Sequence, residues 1–144
     1  MARIIIDTRE QRGWEFPNAV HKKLDTGDYS IVGLETRVAI ERKSADDLLG
    51  TFLRGRARFA KELQTLQGYD FACVIVECSM QDILSGNYRS EMNPHALLAL
   101  LCNMMIRYKP VSFIFGGDRP HSYALAEELL NQAEKLMEAK YGAR

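Results

Sequence analysis

Residues 71–76 (FACVIV) are apolar without interruption, the pattern of a central strand covered on both faces. Shorter apolar runs at 3–6 and 111–115 read as further strands, and residues 29–32 and 37–42 read as a hairpin turning around Gly33 to Thr36. Between them the period changes. Leu48, Leu49, Phe52, Leu53, Phe59, Leu63 and Leu66 recur at helical spacing and predict a helix over 46–67, with Ser44 and Asp46 or Asp47 to cap it and Gly68 to stop it. Gly50 and Gly55 lie inside, each costing about 1 kcal/mol against alanine in an exposed helix, so a break or kink is expected near Gly55. Pro94 opens a helix over 95–108 that is apolar on more than one stripe, the pattern of burial on two sides in a core or an interface. A last helix is predicted over 121–141. Residues 81–93 read as a short helix or loop, and residues 8–26 as a loop without sustained period. In that loop Trp14 and Phe16 either stack on a base or, in the commoner role, pin the loop to the core. The alternation of strands and helices predicts an α/β fold with a mixed central sheet, in one unit over residues 1–144, without repeats or linkers.

The strand at 37–42 leaves its apolar pattern through Glu41, Arg42 and Lys43 and runs straight into the helix start. Alternate strand side chains share a face, so Glu41 and Lys43 point one way while Ile40 and Arg42 point the other. A carboxylate beside an ammonium suits phosphodiester hydrolysis, the acid holding a divalent cation and the lysine orienting water and offsetting charge on the phosphate. It equally describes a solvated strand end with a surface ion pair, the commoner meaning of so short a motif. Two further segments change the balance. Asp28, in Gly27-Asp28-Tyr29, precedes Glu41 on the other arm of the hairpin, and the first strand delivers Asp7-Thr8-Arg9-Glu10. Glu77 ends the central strand, where it either joins the same acids or pairs with Arg9 or Arg42.

Together, Asp7-Thr8-Arg9-Glu10, Gly27-Asp28-Tyr29 and Glu41-Arg42-Lys43 followed by Asp47 resemble the D-x-R-E, G-D and E-R-K-x-x-x-D signature of the XPF-type (ERCC4 domain) structure-specific DNA endonucleases. The motifs stand in family order, and the resemblance covers residues 3–116. It implies a three-layer restriction-endonuclease-like fold, with helices flanking the sheet, and metal-dependent cleavage of DNA with preference for branched or single-strand-containing forms. It implies Asp28, Glu41 and Asp7 as ligands of Mg2+ or Mn2+, oxygen donors being suited to hard cations. Lys43 would position the nucleophile, and Arg42 would stand in the catalytic set with support from Arg9, Glu10 and Asp47. The family also includes noncatalytic partners that bind DNA as scaffolds, but these usually lose the acid or the lysine, and this chain retains both. The best-known relatives carry a helix-hairpin-helix region after the nuclease domain, and the residues after 116 predict only one helix.

Charge sharpens the picture. The 144 residues balance at zero net charge, yet residues 37–61 hold seven basic side chains against three acidic ones, an excess placed where a phosphate backbone needs it. Arg54, Arg56 and Arg58 are candidate DNA contacts, with a solvated basic face as the alternative. Partners expected are DNA and, from the two-sided helix and the amphipathic last helix, a second copy in a homodimer. The longest apolar runs are far short of a membrane span, and no signal-peptide pattern precedes the first strand, so an intracellular protein is expected. Cys73, Cys78 and Cys102 lack metal-ligand spacing and read as buried thiols. His21, His95 and His121 have no helical partners for a metal. Gly116-Gly117 is too sparse for a phosphate-cradling loop, so no nucleotide cofactor is expected.

Overall fold

The computed structural model describes residues 1–144. Its strands are β1 (Ile4–Ile6), β2 (Val20–His21), β3 (Tyr29–Ile31), β4 (Val38–Ser44), β5 (Phe71–Glu77) and β6 (Ser112–Phe115). Its helices are α1 (Ala45–Arg54), α2 (Arg56–Leu66), α3 (Met80–Ser85), α4 (Pro94–Arg107) and α5 (Arg119–Tyr141). One six-stranded sheet runs β2-β1-β3-β4-β5-β6. It is mixed, as expected: β3 is antiparallel to β1 and β4, while β4, β5 and β6 are parallel.

Alternation across the sheet divides the core in two. Ala72, Val74 and Val76 of β5 face α1, α2, α3 and α4, whereas Cys73 and Ile75 face α5. Helices thus cover both faces of the sheet and give the three-layer α/β/α arrangement. The long helix expected over 46–67 is two helices, divided at Gly55, whose amide caps α1 by donating to Thr51 O at 2.9 Å. Leu53, in the last turn of α1, lies outside the apolar stripe and is 63% exposed. Ser44 and Asp47 form a reciprocal capping box at the start of α1.

Several boundaries and exposures differ from expectation. The loop over 8–26 contains β2, two residues paired parallel to β1 at the sheet edge, too short to show a period. Its aromatics are anchors: Trp14 is buried and stacks on Tyr29 at 4.9 Å, with Phe16 edge-on to the same ring at 5.5 Å. Helix α4 buries Leu97, Leu101 and Met104 on one side, while Cys102 is exposed and Ile106 is 70% exposed. Of the thiols expected inside, only Cys73 and Cys78 are buried. No helix is long and apolar enough to cross a membrane.

Candidate active site

The sheet register assembles the site. Tyr29 pairs with Ile6 on one side and Ile40 on the other. The next row is therefore Asp7, Asp28 and Glu41, held by the Asp7 amide donating to Asp28 O at 2.8 Å and the Asp28 amide donating to Ile40 O at 2.9 Å. Ile6, Tyr29 and Ile40 pack toward α5, so by alternation the acid row projects from the opposite face, where α1 and α2 lie. Lys43, two residues beyond Glu41, joins that face with Nζ 3.5 Å from Glu41 Oε2. Gly27 makes the approach possible. Its φ of +91° disfavours other residues, and a Cβ there would lie 2.9 Å from that of Ala39.

The row opens into a cleft of about 530 Å3 whose walls include Asp7, Arg9, Asp25, Asp28, Glu41, Lys43, Asp47, Arg54, Arg58, Phe59 and Glu62. Within it the acids differ sharply. Burial works against ionised Asp7, but hydrogen bonds from the Arg9 side chain and from the Leu24 and Arg9 amides outweigh it and hold the carboxyl below its usual range. Those bonds occupy both oxygens, Leu24 N at 2.7 Å and Arg9 Nε at 2.9 Å. Asp28 accepts one backbone bond, from Arg42 N at 2.7 Å; burial first, and Glu10 next among the raising causes, push it up to about 6. Burial and the Asp28 charge push Glu41 well above the usual carboxylate range, against the pull of Lys43. Asp28 and Glu41 are a desolvated pair of like charges, which a cation between them would relieve.

The opposite face of β4 carries the residues expected to support this one. Against the expectation that Arg42 is among the catalytic side chains, parity along the strand turns its guanidinium away from the cleft. There it bridges Glu10 and Glu77, each at 3.3 Å. What Arg42 gives the cleft is its backbone amide on Asp28. Glu77 stands in register with Ser44, on the Arg42 side of the sheet, so of its two readings the pairing with Arg42 holds. Its second oxygen is buried without a hydrogen bond, 3.9 Å from Arg119. Arg119 in turn donates to the Arg12 and Gly13 carbonyls. Glu10 also receives the Tyr29 hydroxyl at 3.5 Å. Gly13 has to be glycine here, since a Cβ would collide with that hydroxyl.

The candidate DNA contacts separate. Arg54 and Arg58 line the cleft, whereas Arg56 lies outside it, in a groove between α2 and α4 with Arg107 and Tyr108. Asp47 caps α1 at the cleft edge. Asp25, Glu62 and Phe59 also line the cleft, although no motif marks them. Glu62 carried a signal: it follows Arg58 by one helical turn and so shares its face. No group of three or more histidine, cysteine, aspartate or glutamate side chains is arranged to hold a metal. The donors that fit one are Asp28 and Glu41, in keeping with a cation that takes one or two carboxylates and completes its shell with water and phosphate.

A family profile described as the ERCC4 domain matches residues 6–129. Two solved structures share the fold. The XPF protein from Aeropyrum pernix superimposes with a TM-score of 0.68 at 20% identity, over 94% of this chain and 69% of that one. The same protein in complex with DNA gives 0.71 at 22% identity, over 94% and 66%. The chain thus spans about two thirds of the length of these structures. A search of curated proteins returns no match. With the three motifs joined on one sheet and the profile covering most of its length, the chain belongs to the ERCC4 domain family.

Proposed function

We propose that this chain is an endonuclease that hydrolyses DNA phosphodiester bonds with the help of Mg2+ or Mn2+, acting better on branched or single-strand-containing DNA than on plain duplex. The observation that carries the reading is the row Asp7-Asp28-Glu41 with Lys43 on the same face, opening into a cleft that Arg54 and Arg58 also line. Asp28 and Glu41 hold the cation, and Asp7, its oxygens engaged by Arg9 and Leu24, assists through water. Bound there, the ion supplies Lewis-acid polarisation of the phosphate and lowers the pKa of a coordinated water. Lys43 orients the attacking water and offsets charge as it develops on the phosphate oxygens. Arg42 fixes Asp28 through its amide while Glu10 and Glu77 lock its side chain beneath. Arg54 and Arg58 meet the phosphate backbone beside the reacting bond. The DNA in the complex of the Aeropyrum pernix protein supports DNA as the substrate class.

A second reading is a noncatalytic DNA-binding scaffold, for which the Arg54 and Arg58 side chains of the cleft would serve without a metal. The two part on a simple assay. Labelled single-strand, duplex, flap, fork and nicked DNAs are incubated with the protein and Mg2+ or Mn2+. Cleavage is expected, fastest on flap and fork. Binding without any cleavage in either metal would hand the site to the scaffold reading, and equal cutting of all forms would remove the structural preference.

A further inference from the structure

The Lys43 side chain is 19% exposed, and its ammonium has Glu41 Oε2 at 3.5 Å as its charged neighbour. It also stands over an aromatic ring, with Nζ 5.1 Å from the centroid of Phe59. Phe59 is 2% exposed and belongs to the core beneath α1 and α2. It is also the single hydrophobic residue in the cleft lining. The break at Gly55 brings it there, because α2 starts afresh at Arg56 and its Phe59 amide donates back to Gly55 O at 2.9 Å.

A ring face attracts an ammonium through its quadrupole and takes up none of its hydrogens, so the cation stays available to water and phosphate. A carboxylate in the same place would bind those hydrogens and cancel the charge. The existing carboxylate, Glu41, is also the one whose oxygens are claimed for a cation, and a cation there weakens its hold on Lys43. What remains to keep the ammonium over the acid row is the ring. We infer that Phe59 is a positioning residue for the cleavage reaction, holding the Lys43 ammonium in place by its aromatic face. This rests on the reading of Lys43 as the group that orients the nucleophile.

The test uses the full chain, a labelled flap DNA and Mg2+. Phe59→Leu keeps apolar bulk and loses the ring; it should lower the single-turnover cleavage rate roughly three- to tenfold while leaving metal-free DNA affinity within about twofold. Phe59→Tyr should recover most of the rate. Replacing Phe59 with fluorinated phenylalanines, which keep the shape and drain the ring face, should lower the rate step by step with the number of fluorines. In a Lys43→Ala background the loss from Phe59→Leu should vanish. The same loss with and without Lys43, or no grading with fluorination, would reduce Phe59 to core packing and overturn the proposal. An independent reading is the NMR position of the Lys43 side-chain methylene next to the ammonium. The ring should shift it upfield in the metal-free wild type and not in Phe59→Leu. An ordinary position would overturn the proposal whatever the activity. An upfield signal in a protein that cuts no DNA would sink the nuclease reading and leave the contact standing.

Discussion

At the scale of single residues, Asp28, Glu41 and Lys43 separate enzyme from scaffold, because each contributes at a different stage. Asp28→Asn and Glu41→Gln nearly preserve shape and remove charge, so Mg2+ affinity measured by calorimetry should fall by at least roughly tenfold. Metal-free DNA binding should equal or exceed wild type, one repulsive charge being gone. Lys43→Ala should keep the metal and lose roughly a hundredfold or more in the single-turnover rate, as expected for a group that acts when charge develops. Cleavage that survives all three substitutions would defeat the catalytic assignment. The acids also make a statement about pH. Burial raises Asp28 from 3.8 to about 6 and carries Glu41 up with it. The metal-free fold therefore favours the protonated pair, and the stability this lends is complete below the unfolded value near 3.8 and lost as pH rises through about 6 and beyond. Thermal unfolding in chelator should show the midpoint falling across that window, and falling less in Asp28→Asn. A midpoint that rises with pH there, once wild type and variant are compared, would mean the pair is not desolvated as described.

At the scale of elements, the site is open to reading because Asp7 and Asp28 flank strand ends, Glu41 lies within β4, and alternation fixes the face of each. The parity that joins Glu41 to Lys43 is a property of any strand. The same parity sends Arg42 to the far side. Glu77 is legible as one of its partners there, as the acid ending the central strand, whereas Glu10, 32 positions away, meets it only through the sheet register. β2 escaped because two residues show no period, and Cys102 because α4, apolar nearly all round, buries one side only. The division at Gly55 was legible, its effect was not: it puts Arg54 and Arg58 along the cleft and turns Arg56 away. Alanine at Arg54 and Arg58 should therefore weaken DNA binding and flatten its salt dependence by roughly one unit of log-log slope per lost phosphate contact. Arg56→Ala should leave that slope nearly unchanged. Equal effects from all three would show that the DNA path is broader than the cleft.

At the scale of the whole molecule, apolar surface is left on the outer helices, with Leu53 63%, Ile106 70% and Leu136 64% exposed. We propose that the chain pairs with a second copy, which would cover such surface and widen the grip on DNA. Light scattering at micromolar concentration should give twice the 16.4 kDa chain mass, and a monomer mass would refute the pairing. The cleft itself carries a different consequence. Seven acidic side chains line it against four basic ones, so to a nucleic acid arriving without metal it is a repulsive surface, and to a divalent ion arriving without DNA it is a site short of donors. Each ligand supplies what the other lacks. Whatever factor Mg2+ adds to DNA affinity, DNA must add to Mg2+ affinity by thermodynamic reciprocity. With an inactive Lys43→Ala protein to prevent cutting, the two factors can be measured separately and should agree. Each ligand would then bind more weakly alone than in the presence of the other, so that the protein is drawn to metal and DNA together.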